Sequence, residues 1–242
     1  MLLDRYNETI DSLLNRVRET QREQIITAGK MIADAVAGGA CVHIHDTGHI
    51  IDSELIFRGG GLILYKPFKY GLTVTDPVRS RDRSDLDTCA AGLASYAIKA
   101  SGARPGDIMI LGSVSGRNLP VVDLAVESRE FGMKNIVITS LEYSRQVKSD
   151  HPSGKRLFEL ADLVIDNCAP AAEAMMDVKD LPARFAAASG ISAATIMWSV
   201  SSVVIEEMLS KGLTPGVLKS ANFPDGNEFN KQVIEHYEKH GW

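Results

Sequence analysis

Apolar residues return at three- and four-residue steps through residues 4–37, which predicts a helical region with a break near 18–22 and a stop at Gly38 and Gly39. A different rhythm follows. CVHIH, 41–45, is short and β-prone; IIDSELIFRGGG, 50–61, reads as a helix closed by glycines; GLILYKP, 61–67, is a second strand. TDPVRSRDRSD, 75–85, is a polar loop before a helix over 86–102, with Asp85 or Ser84 as its cap. Then come a turn at RPGD, a strand at DIMILGS, a helix over 118–132 ending in Gly132, and a strand at KNIVITS. That order over 108–140 is a βαβ unit, and its nearly continuous apolar strands are those of a buried parallel sheet. A loop over 141–155 leads to a short helix and the strand ADLVIDN. Residues 186–209 form a long helix with too few polar positions for solvent all round, which points to the core or to an interface between copies. A last helix is expected over 228–238. With no repeat and no clear linker, the chain reads as one doubly wound α/β domain over 1–242 with helical additions at both ends.

Composition narrows this picture only slightly. A chain of 242 residues, 45% apolar, can bury one sizeable core. Its 31 acidic residues outnumber 26 basic ones, which argues against a general nucleic-acid surface. Cys41, Cys89 and Cys168 are odd in number, far apart and near apolar residues, so buried free thiols are expected rather than disulfides. No basic stretch leads into an apolar run and no uncharged apolar run nears eighteen residues, so the expectation is a cytoplasmic protein without a membrane span.

Candidate chemistry gathers at two strand ends. LGSVSGRN, 111–118, joins a strand to a helix. Such a helix turns its free N–H groups and positive dipole end toward the strand's carboxyl end, where an anion is favoured. Gly112 and Gly116 allow close approach, Ser113 and Ser115 carry hydroxyls, Arg117 supplies charge or faces water, Asn118 caps the helix and Pro120 suits its first turn. Neither GxxxxGK[ST] nor GxGxxG is present, so the turn stands equally as an anion site or an ordinary αβ connection. The other end is HIHDTGHIIDSE. His43, His45, His49 and Asp46 invite a metal, but packed or hydrogen-bonded histidines are the simpler reading, and none is assigned. Glu54 and Arg58, four apart, are either a surface ion pair or, for Glu54, a carboxylate close enough to a ligand to act as general base, with His49 as its acid partner.

TGHIIDSELIFRGGG (47–61), RPGDIMILGSVSGRN (104–118), ITSLEYSRQVKSDHPSGKRLFELADLVIDN (138–167) and SANFPDGNEFN (220–230) together resemble the sugar isomerase (SIS) domain superfamily, in particular stand-alone SIS proteins described as phosphosugar or phosphoheptose isomerases. The resemblance implies a three-layer α/β/α sandwich with a mostly parallel, five-stranded, Rossmann-like sheet. It implies a homodimer or dimer of dimers with sites near subunit contacts, and a phosphorylated sugar as ligand. Relatives isomerise aldoses and ketoses, cleave a sugar ether or only bind the sugar. By resemblance, Ser113, Ser115, Gly116 and Asn118 match the phosphate turn, with Arg117 beside them; Thr47, Gly48 and His49 match a second ligand loop; and Glu54 matches a recurring carboxylate. Ser144, His151, Ser153 and Lys155 either close over the ligand or meet a partner subunit. No cofactor, nucleic acid or membrane is expected. Three positions depart from the pattern: Asp46 stands where relatives carry glycine, Ile50 where they carry serine, and Val114 where they carry asparagine.

Overall fold

The computed structural model describes residues 1–47, 51–75, 78–82, 84 and 89–242. The N-terminal helical region is two helices, α1 (Leu2–Thr20) and α2 (Arg22–Ala37), broken at Gln21 as the pattern indicated. Then follow β1 (Val42–Asp46), a single turn α3 (Asp52–Leu55), β2 (Tyr65–Pro67), α4 (Leu93–Ala100), β3 (Ile108–Gly112), α5 (Leu119–Phe131), β4 (Lys134–Thr139) and the short α6 (Leu141–Ser144). A 3-10 turn (Leu157–Leu160), β5 (Leu163–Asp166), a hairpin of β6 (Ala174–Met176) and β7 (Phe185–Ala187), α7 (Ser189–Ser210) and α8 (Gly226–His240) complete the chain.

The five main strands are all parallel, in the order β2-β1-β3-β4-β5. Side chains alternate across this sheet because the strand period is two. Val42, Ile44, Ile108, Ile110, Ile136, Ile138 and Ile165 face one layer, packed with α1, α2 and α7. Met109, Leu111 and Val137 face the other, packed with α4, α5 and the 3-10 turn. Helices therefore cover both faces, and the fold is the three-layer α/β/α sandwich expected from the sequence. Each fully buried Ile or Leu contributes roughly 1.5–3 kcal/mol of transfer free energy. α7 is long and apolar enough to cross a membrane by length and composition alone. Here Ala193, Ile196, Met197, Val200 and Val204 bury one of its faces in the core.

Several local expectations change. The helix expected over 50–61 is one turn, because RGGG is drawn into a β-like pairing with the C-terminal segment. Gly60 N–H donates to Leu218 O (2.7 Å), Leu218 N–H to Gly61 O (2.9 Å) and Ile63 N–H to Gly216 O (2.9 Å). A β-carbon on Gly216 would lie 2.7 Å from both Ile63 and Val233, so the contact requires glycine. The helix expected over 86–102 covers only Leu93–Ala100. Ser84 does not cap it, and Asp85 lies outside the described residues; Asp123 of α5 caps it instead, accepting from Gly92 N–H (2.6 Å) and Ala94 N–H (2.9 Å). The short helix before β5 is a 3-10 turn, the long helix begins at Ser189, and the last helix spans Gly226–His240. The β6–β7 hairpin has no counterpart in the sequence reading. Cys41 and Cys168 are free thiols, Cys41 only half-buried and Cys168 buried as expected, whereas Cys89 is exposed.

Candidate functional site

In open parallel sheets, ligands bind beyond the carboxyl ends of two adjacent strands whose connections leave toward opposite faces. β1 and β3 meet that condition. Asp46 and Gly112 are register partners, and Thr47 N–H donates to Gly112 O at 3.1 Å, so the two chain exits lie side by side. After β1, Ile51 and Leu55 pack on the α2/α7 side; after β3, Val121 and Val122 pack on the α4/α5 side. By that rule the crevice falls between the two exits, at Thr47 and Ser113.

The β3 exit is shaped by internal hydrogen bonds. Ser113 is buried and its Oγ accepts from Gly116 N–H (3.3 Å). Val114 is fixed through its carbonyl, which accepts from Thr139 Oγ1 (3.0 Å) and Ser140 N–H (3.1 Å). Gly116 has φ +59°, and a β-carbon there would lie 3.0 Å from Ser144 Oγ, 3.1 Å from Leu157 Cβ and 3.3 Å from Thr139 Oγ1. Asn118 occupies the N-cap position of α5 and Pro120 its first turn, yet the Asn118 side chain makes no cap bond. The sequence expectation of a side-chain cap is thus not met. The start of this 13-residue helix is left without a side-chain cap, and Pro120 has no N–H that would need one.

The β1 exit is arranged the opposite way. Asp46 Oδ2 accepts from Ile51 N–H (2.7 Å) and Asp52 N–H (2.8 Å), so a carboxylate of the chain itself fills the start of α3. Asp52 pairs with Lys69 Nζ at 3.0 Å. Glu54 is paired with Arg58 Nη1 at 2.5 Å, with its side chain 41% exposed. Thr47 stands at the crevice; Gly48 and His49, with Ile50, lie outside the described residues.

The remaining histidines are engaged elsewhere. His43 Nε2 lies 3.1 Å from Asp107 Oδ2, and His45 Nδ1 lies 2.9 Å from Phe68 O. Both face the α4/α5 layer, as their spacing of two suggested. Among the described residues no three His, Cys, Asp or Glu side chains converge as metal ligands would.

The segment 145–156 is a strap along α5. Arg117 grips Asp150 with two bonds, from Nε (3.1 Å) and from Nη2, while Asp150 N–H donates to Arg117 O (2.9 Å). The guanidinium holds the Asp150 carboxyl below the usual carboxylate range. His151 Nε2 lies 3.4 Å from the buried Asp123 Oδ1, and its Nδ1 lies 2.8 Å from Ser153 Oγ. Burial, with the Asp123 charge beside it, pushes the Tyr70 phenol up to about 12. Ser153 and Lys155 border an open cavity of about 700 Å³ with Arg129 and Glu159, on the outer side of α5. Ser144 is no part of the strap surface: it is fully buried beneath the Gly116 turn, and its Oγ has no hydrogen-bond partner. Sequence reasoning missed Asp123. The signal was there, since a lone carboxylate inside the apolar run VVDLAV needs buried partners.

A SIS domain model matches residues 5–140, more than half of the chain. The chain belongs to the SIS domain family. Within it, a UPF0309 protein of Oceanobacillus iheyensis is 33% identical over 96% of this chain and 95% of its own length. One from Streptomyces coelicolor is 32% identical over 93% of this chain and 90% of its own length. The SIS-domain fold extends to a structure of a phosphoheptose isomerase from Francisella tularensis, with a TM-score of 0.53, 14% identity and coverage of 84% of this chain and 96% of that one. At that identity the likeness is one of fold.

Proposed function

We propose that this SIS-domain protein binds a phosphorylated sugar or sugar derivative across the β1–β3 crevice and interconverts its aldose and ketose forms. One observation carries the reading: beyond the bond from Gly116 N–H to Ser113 Oγ, no side chain caps the start of α5, directly beside the exit of β1. The phosphate sits on the Ser113 and Ser115 hydroxyls and the amides of 115–118. The sugar carbon chain runs toward Thr47 at the β1 exit. Glu54, released from Arg58, takes the proton from the carbon next to the carbonyl, giving an enediol, and returns it to the neighbouring carbon. His49 moves the proton between the two oxygens. No external oxidant or cofactor enters this proton transfer. The same reading includes assembly as a homodimer or dimer of dimers, supported by the apolar side chains Leu2, Leu3, Leu181 and Phe185 left exposed.

The Glu54–Arg58 ion pair favours a second reading, in which the crevice binds the sugar without turning it over. A panel of aldose and ketose phosphates, scored by thermal shift for binding and by NMR for conversion, separates the two. Turnover that Glu54→Gln abolishes, with binding retained, is the expected result. Full activity in Glu54→Gln contradicts the assigned base, and binding with no conversion of any sugar phosphate supports the binding-only reading.

A further inference from the structure

Arg117 follows Gly116 directly, so its backbone amide belongs to the turn that faces the crevice, yet its guanidinium is turned to the strap. There it meets Asp150 in a paired, fork-like contact, with 41% and 44% of the two side chains exposed. The strap is tied down at further points: Asp150 N–H to Arg117 O at 2.9 Å, His151 Nε2 to Asp123 Oδ1 at 3.4 Å, and Arg156 Nε to Glu159 Oε2 at 2.9 Å. Loss of the Asp150 carboxylate therefore loosens residues 148–152 without detaching the strap. The matching pair at the other strand end is already internal, because Asp46 occupies the amides of Ile51 and Asp52. The chain thus sets one of its own carboxylates against the donors on each side of the crevice. The one on the α5 side is exposed and displaceable, since an exposed ion pair contributes little.

We infer that Asp150 is a built-in competitor for the ligand anion: it holds Arg117 away from the α5 turn until an anion draws the guanidinium over and frees the middle of the strap. This rests on the phosphate reading of that turn. A guanidinium matches a phosphate with two parallel N–H donors as well as it matches a carboxylate. A ligand that recruits Arg117 must overcome Asp150, so Asp150 sets the affinity of the site and couples its occupancy to residues 146–152. Asp150 touches no reacting atom in this account and acts only through Arg117.

The test is calorimetric titration of four proteins with inorganic phosphate: the wild type, Asp150→Asn, Arg117→Ala and the double variant. The expected result is binding about three- to five-fold tighter in Asp150→Asn than in wild type, the scale of an exposed ion pair. That gain is absent when Arg117→Ala is the background. Amide exchange supplies a second reading: saturating phosphate accelerates exchange at 148–152 in the wild type, whereas Asp150→Asn exchanges fast there without phosphate. Equal or weaker phosphate binding in Asp150→Asn, or a gain that persists without Arg117, overturns the competitor role while leaving the phosphate turn intact. If none of the four proteins binds phosphate, the phosphate reading of the turn falls, and this inference with it.

Discussion

The two exits of the crevice, after β1 and after β3, are built from the same parts and finished differently. Each is a strand end followed by a helix whose first amides point back toward the strand. After β1 the helix is a single turn and Asp46 fills its amides from within. After β3 the helix runs 13 residues, its N-cap side chain makes no bond, and a left-handed glycine lets the backbone turn sharply beside Ser113. Among the described residues of the two exits, the β3 side is the one proposed to take an anion. The β1 side, with Asp46 and Asp52 close together, suits hydroxyls and protons better than phosphate. Asp46 is turned inward there, onto the amides of Ile51 and Asp52. Its charge is neutralised in part by two amides rather than left facing the ligand.

Substitution of the most specialised residue of the β3 exit has the largest effect. Gly116→Val forces a β-branched side chain into a left-handed position and against Ser144, Leu157 and Thr139. Phosphate affinity should fall by about 100-fold or more, as the turn loses its shape, with stability lower by about 2–3 kcal/mol in denaturant unfolding. Next is Asp123→Ala, which leaves the Gly92 and Ala94 amides and His151 without their carboxylate and should cost about 2–4 kcal/mol by the same measurement. Asp46→Ala removes only the internal cap of α3. It should cost about 1 kcal/mol, while phosphate affinity at the α5 turn changes by no more than about three-fold.

The smallest effect is a pH dependence of the strap. Asp150 and Glu159 are both held below the usual carboxylate range by the hydrogen bonds of Arg117 and Arg156. A carboxyl lowered in the fold contributes stability that is present above its unfolded pKa and is lost as the pH falls through the lowered value. Amide protection at 146–156, followed by hydrogen exchange, should therefore hold at neutral pH and fade only below the ordinary carboxylate range.

How much of this was legible in the chain depends on how local each cause is. The strands IMILG and KNIVIT announce themselves because strands buried on both faces carry short, nearly continuous apolar runs. The α1–α2 break and the Gly132 stop are likewise written in neighbouring residues. Pairings across the fold are not. RGGG looked like a helix end because its partner, the segment at 216–218, lies some 150 residues away, and the cap of α4 comes from Asp123 on another helix. The hairpin strands AMM and FAA are three residues each, too short to show a period. At the site, the sequence located both strand ends and the spacing of Glu54 to Arg58. It could not reveal that Ser144 is buried behind Gly116, that Arg117 faces Asp150, or that Asp46 turns inward, since each depends on what the fold places opposite.

The central claim is that the α5 turn, and not the start of α3, is the anion seat. Backbone NMR of the full chain titrated with inorganic phosphate tests it most directly. Saturable shifts are expected at the amides of Ser115, Gly116, Arg117 and Asn118, with those of Ile51 and Asp52 unmoved. Shifts centred on Ile51 and Asp52, with the 115–118 amides silent, would contradict it.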